Sequence, residues 1–241
     1  WEYYRMADAK GFRPYRWLGL SLGLIVILSI HYTEHTYIFF RQSNYGYCVL
    51  FLLLVLCSVV LQKNIKDTLN RTALTMFGVI YIPLLLGHAI LLREVRPFLI
   101  SRDVLMGTGL LLFTFALIWI NDTGAYFTGV TFGKHPLAPH ISPKKSVEGL
   151  IGGVSATVIA AIVARHYWMH SVSLLDVVII ALGVSIVGTL GDLVESAFKR
   201  DSGIKDSGTI LPGHGGVLDR FDSLLFAVPF VYWYYRLVMF R

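Results

Sequence analysis

Charge is scarce in this chain. Of its 241 residues only 15% are Asp, Glu, Lys or Arg, while 55% are hydrophobic and the mean hydropathy is +0.63; an ordinary soluble domain carries roughly 25% charged residues. That excludes a soluble domain and indicates a membrane protein. Cysteine is nearly absent: Cys48 and Cys57 stand roughly 13 Å apart along one apparent helix, beyond disulfide reach. They are expected to be buried packing residues without thiol chemistry. The formal charge is +6, yet no basic stripe interleaved with aromatics is present, so nucleic acid is not an expected partner. His31, His35, His166 and His170 fall at expected turns, and no pairing among them makes a convincing zinc pattern, so metal ligation by them is not expected. Internal repeats, low-complexity segments and long linkers are missing too, which makes residues 1–241 a single integral-membrane domain.

What the chain does have is apolar runs, at about 17–32, 47–62, 73–92, 104–121, 150–168, 173–190 and 223–240. Each is near the 17 to 25 residues or so that a membrane helix needs, the first two being short. The expected fold is therefore all-α and polytopic, with seven transmembrane helices. Residues 1–16, WEYYRMADAKGFRPYR, set arginines beside aromatics and read as an interfacial segment, too charged for the core of a signal peptide. Alternating the loops puts fourteen lysines and arginines on the side of residues 1–16, 63–72, 122–149 and 191–222 and seven on the other. The first side is then cytoplasmic. Pro83 and His88 read as a tolerated kink and a satisfied polar group. The run FVYWYYRLVMF reads as an interfacial belt with Arg236 snorkelling.

Against this background residues 196–222, SAFKRDSGIKDSGTILPGHGGVLDRFD, stand out. They hold Lys199, Arg200, Asp201, Lys205, Asp206, His214, Asp219, Arg220 and Asp222, broken by five glycines. Just before them a helix should leave its apolar span with Asp192, Glu195, Ser196 and Lys199 on one face. Asp219, Asp222 and Ser223 share a face at the start of the next. Carboxylate oxygens with room for waters and phosphates suit Mg²⁺, glycines around His214 let backbone N–H groups approach a phosphate, and the basic residues supply positive charge. These residues suit a metal-dependent phosphoryl or nucleotidyl site at a membrane surface.

The stretch 122–149 is expected to be a loop on the same side. Ser142 and Pro143 resemble the N-cap and first position of a helix, which with Lys144 and Lys145 would make an anion site; ordinary cytosolic-face anchors are the plain alternative. Gly149 and Gly153 form a small-xxx-small pair suited to close helix packing. Small residues at Gly183 and Gly188 would suit a homodimer.

Ser196, Phe198-Lys199-Arg200, Lys205-Asp206, Gly208, Pro212, His214-Gly215-Gly216, Asp219-Arg220 and Asp222 match the signature of the phosphatidate cytidylyltransferases, or CDP-diacylglycerol synthases. Asn121 to Phe127, Phe132-Gly133-Lys134, Ser142 to Lys145 and Glu148-Gly149 resemble that family as well. The resemblance is strong from about residue 104 onward, the part expected to be catalytic, and general before it; further N-terminal spans of the family are expected to be missing. It implies an enzyme of the bacterial inner membrane, its active site facing the cytoplasm, that joins CTP to phosphatidic acid and releases pyrophosphate. Asp192, Asp219 and Asp222 would hold Mg²⁺ and any second cation. Lys199, Arg200 and Lys205 would act on the phosphates with Asp219 and Asp222. Lys144, Lys145, Ser196, His214, Gly215, Gly216 and Arg220 would bind substrate, and Asp122 is a further ligand candidate.

Two other readings are weaker. A transporter would spread carboxylates through the depth of its spans, whereas Asp176 is the only acidic residue well inside an apolar window and lies near its beginning. A CTP-using lipid-alcohol kinase would take a hydroxyl acceptor, which the His-Gly-Gly to Asp-Arg-x-Asp signature argues against.

Overall fold

A computed structural model describes the chain apart from residues 36–52, 58, 61–66, 96–105, 171, 211, 214, 240 and 241. Among its helices are α1 (Glu2–Ala9), α2 (Arg16–His35), α3 (Thr68–Arg93), α4 (Met106–Phe132), α5 (Val147–Tyr167), α6 (Leu174–Asp201) and α7 (Leu218–Tyr234). By length and composition α3 to α6 can each cross a membrane, and α2 carries a shorter apolar segment, Arg16–Tyr32. The run at 47–62 lies mostly outside the described residues. The last apolar run forms α7, which contains Pro229 and passes into a π-helical turn, Tyr235–Met239.

Apolar faces of α4, α6 and α7 meet in the main core, around Leu110, Phe113 and Leu117, Val177, Ile180 and Val184, and Leu224, Val228 and Val231. The kink expected at Pro83 is a π-helical turn, Ile80–Leu84, within α3. Proline has no N–H to donate and its ring crowds the preceding turn, which a wider turn relieves. His88 is satisfied: Nδ1 donates to the Leu84 carbonyl at 2.9 Å and Nε2 accepts from Trp233 Nε1 at 3.2 Å.

Glycine sets how closely the helices approach. A Cβ on Gly149 would stand 2.9 Å from the Ala125 carbonyl oxygen, and one on Gly153 2.8 Å from that of Asn121. The small-residue pair thus serves the α4–α5 contact. Gly183 and Gly188, expected to suit a homodimer, instead face Phe230 and Ser223 of α7 in the same chain. Cys57 is an exposed free thiol rather than a packing residue, and Cys48 lies outside the described residues.

The expected loop at 122–149 is largely ordered structure. Helix α4 does not stop at residue 121 but continues to Phe132, and a hairpin follows, β1 (Pro136–Ala138) pairing antiparallel with β2 (Ser142–Ser146). Pro143 therefore lies in a strand, and α5 starts only at Val147. The proline holds Ser142 extended, and Ser146, at φ −116° and ψ 156°, takes the N-cap role by accepting from Gly149 N at 3.1 Å. Glu148 fastens the hairpin, accepting from the backbone N–H groups of Lys134 and His135 at 3.1 and 3.2 Å. The anion site expected at a helix start beside Lys144 and Lys145 is thus not formed there.

Candidate active site

Helices α4 and α6 continue about ten residues, some 15 Å, past the ends of their apolar runs. Those projections carry the polar residues. On α6 one face is internally bonded, as its spacing predicts: Ser196 Oγ donates to Asp192 Oδ1 at 3.2 Å, and Lys199 Nζ to Glu195 Oε2 at 2.8 Å. Lys199 also reaches Asp219 Oδ1 on α7, at 2.6 Å. Lys199 and Asp219 are each 12% exposed and Glu195 is fully buried. Glu195 Oε1 has no hydrogen-bond partner among the described residues.

Asp219 ties Ser207 and Gly216, between α6 and α7, to the start of α7. Its Oδ2 accepts from Ser207 N and Oγ, both at 3.0 Å, and from Gly216 N at 2.7 Å. Desolvation would raise its pKa, but the Lys199 ammonium and these donors outweigh that and hold it down at about 2. Gly215 has φ +82°, and a Cβ there would come within 2.8 Å of Asp219 Oδ2, so glycine is required twice over. Asp222, ahead of the apolar run of α7, is 9% exposed. Burial and the nearby Asp192 carboxylate push its pKa up.

The second stretch meets the first helix of the site through an ion pair between Lys145 on β2 and Asp192 on α6. Asp122 on α4 is close enough to feel both charges. Arg200 instead donates from Nε to the Ile141 carbonyl at 3.4 Å, tying α6 to the hairpin. Lys144, Lys205 and Arg220 are exposed, and His214 lies outside the described residues. The structure thus gathers Lys145, Asp192, Glu195, Ser196, Lys199, Asp219 and Asp222, with Gly215 and Gly216 beside them. Two participants escaped the sequence reading: Ser207 and, from the far end of the chain, Glu2, which Ser207 Oγ also approaches at 3.0 Å. No local pattern marks either.

Every acceptor here is oxygen, and one buried carboxylate oxygen has no donor, which suits a hard cation such as Mg²⁺. Among the described residues no three His, Cys, Asp or Glu side chains are gathered closely enough to hold an ion unaided. An ion bound here would complete its shell with water and substrate oxygens.

Helices of spanning length, with carboxylates, lysines and a glycine-rich stretch at one end, define a polytopic membrane protein. The chain belongs to the Cytidylyltransferase family, whose model matches residues 1–238. It is similar to the phosphatidate cytidylyltransferase of Haemophilus influenzae, 45% identical over 143 residues (58% of this chain, 50% of that protein). Proteins of that name from Bacillus subtilis and Staphylococcus saprophyticus are 40% identical over 180 residues (75% and 64% of the two chains) and 50% over 123 (51% and 47%). The chain spans about half to two thirds of the length of these relatives.

Proposed function

We propose that the chain carries the active site of a phosphatidate cytidylyltransferase, which condenses CTP with phosphatidic acid to give CDP-diacylglycerol and pyrophosphate. The observation that carries this reading is the Lys145–Asp192 ion pair. Its two residues are 47 apart in sequence, and the pair sets the 122–149 stretch against α6 just ahead of the 196–222 stretch, which supports reading the two stretches as one site. A phosphate oxygen of the lipid forms a bond to the α-phosphorus of CTP, and the bond from that phosphorus to the bridging oxygen of pyrophosphate breaks. Nucleophile and leaving group are already anionic, so positioning and charge neutralisation suffice.

In this reading Lys199 neutralises phosphate from a buried position where Asp219 and Glu195 fix its ammonium. Lys145, steered by Asp192, faces the same space from the hairpin, and the exposed Arg200, Lys205, Lys144 and Arg220 receive the triphosphate at the rim. Asp192, Asp219 and Asp222 would each offer an oxygen to Mg²⁺, water and substrate oxygens completing its shell, and the ion when bound supplies Lewis-acid stabilisation of the transferring phosphate. The same reading has seven spans and turns the site toward the cytoplasm of a bacterial inner membrane.

Labelled CTP offered to the detergent-solubilised chain with phosphatidic acid or with diacylglycerol tests this. A CDP-lipid formed from phosphatidic acid alone, and lost in Asp219→Ala, is the expected result. Phosphorylation of diacylglycerol would overturn it in favour of a lipid kinase.

A further inference from the structure

Helix α7 begins without a cap of its own. Its N-cap position is Val217, which has no side chain able to accept a hydrogen bond, so the first N–H groups must find acceptors elsewhere. They find them on Glu2, more than two hundred residues away. Glu2 Oε1 accepts from Val217 N at 2.9 Å, and Oε2 accepts from Leu218 N at 2.6 Å. Ser207 Oγ lies 3.0 Å from the same Oε2 and 3.0 Å from Asp219 Oδ2. Glu2 is only 6% exposed and Ser207 1%. A carboxylate at a helix N-terminus is favoured by the helix dipole as well as by these donors.

Two glycines of the signature stretch are shaped around this carboxylate. A Cβ on Gly208 would lie 2.5 Å from Glu2 Oε1, and one on Gly216 2.7 Å from Glu2 Oε2. Any larger residue at either place would displace the carboxylate or the loop. Glu2 is itself held rigidly. Helix α1 is anchored by Tyr3, Tyr4 and Met6 against Tyr81, Leu218 and Leu225, and Tyr4 Oη donates to the Thr75 carbonyl at 2.9 Å.

We propose that Glu2 is a positioning residue of the active site: its buried carboxylate holds Ser207 and the backbone of Val217 and Leu218 at the start of α7, and through them sets where Asp219 meets Lys199. The proposal rests on the cytidylyltransferase reading for its activity arm but not for its structural arm. Nothing in it requires Glu2 to touch a substrate. A displacement of about 1 Å at a reacting centre costs on the order of 10²-fold in rate.

The test uses the full chain with Glu2→Gln and Glu2→Asp. Glu2→Gln removes the charge and turns one acceptor into a donor facing N–H groups, whereas Glu2→Asp keeps the charge on a shorter arm. In Glu2→Gln, kcat per CTP-binding molecule should fall by ~30-fold or more with KM for CTP and phosphatidic acid changed less than about threefold, and Glu2→Asp should recover part of that loss. Backbone amide exchange at Val217 and Leu218 should quicken in Glu2→Gln, while amides in the middle of α6 keep their protection. A cap that matters only for stability would lower the folded fraction and leave kcat per CTP-binding molecule unchanged, which overturns the proposal. Unchanged exchange at Val217 and Leu218 overturns it as well. If the wild-type chain turns over neither lipid, the cytidylyltransferase reading falls, while the exchange arm still decides whether Glu2 holds the loop.

Discussion

Two ion-pair sites on α6 share chemistry and differ in surroundings. Lys199 lies between Glu195 and Asp219 with side-chain exposures of 12%, 0% and 12%. Lys10 and Asp201, two residues further along the helix, pair at 40% and 61%. Removing one partner from a buried pair strands a charge at about 3 to 5 kcal/mol, whereas an exposed pair contributes ~1 kcal/mol or less. Burial therefore makes the first group demanding of sequence and the second permissive, and function should divide along the same line.

Asp219→Asn strikes the demanding end hardest. It keeps the shape but removes the charge that fixes Lys199, and activity should fall by ~10³-fold, the scale at which removal of one preorganised electrostatic partner is felt. Retention of a tenth of the activity in a CTP and phosphatidic acid assay would erase the distinction between the two groups. Next comes the half-buried pair, with side chains 28% and 30% exposed. Lys145→Gln and Asp192→Asn should each cost on the order of 10- to 100-fold. The double variant should be no worse than the poorer single one, because partners that act as a unit do not add. Full additivity would mean that the two motif stretches act separately.

How much of this could be read beforehand depended on distance along the chain. The face joining Asp192, Glu195, Ser196 and Lys199 follows from a 3.6-residue period, and the bonds between Ser196 and Asp192 and between Lys199 and Glu195 lie along it. Hydropathy drops at Asn121 and Asp122 and so hides the continuation of α4, although a helix needs only satisfied backbone groups to continue. The SPKK segment carries helix-start residues, yet pairing with β1 holds it extended and the cap passes to Ser146. Glu2 had no local signal whatever. Its partners are more than two hundred residues away, and only the docking of α1 brings them together.

Acid offers a gentler probe of the demanding end. Asp219 has a folded pKa of about 2 against an ordinary value of 3.8, so its ionised form adds stability above pH 3.8 that is lost as pH falls toward 2. Thermal unfolding of the wild type should therefore weaken between about pH 4 and 2 more steeply than that of Asp219→Asn. Parallel curves would show that Lys199 and the loop donors do not hold the carboxylate as tightly as their distances imply.

The smallest effect is expected at the rim. Lys10→Ala breaks the ion pair with Asp201, leaving the carboxylate free to hydrate, so stability should change by less than ~1 kcal/mol and salt should remove most of that difference. Turnover should stay within about twofold, because α1 remains fastened by Tyr3, Tyr4 and Met6 and its Glu2 end is untouched. A large loss of turnover in Lys10→Ala at unchanged thermal stability would mean that α1 needs both ends tied to keep Glu2 in place. The permissive rim and the demanding interior would then be one mechanical unit, and exposure alone would no longer predict which charges on α6 matter.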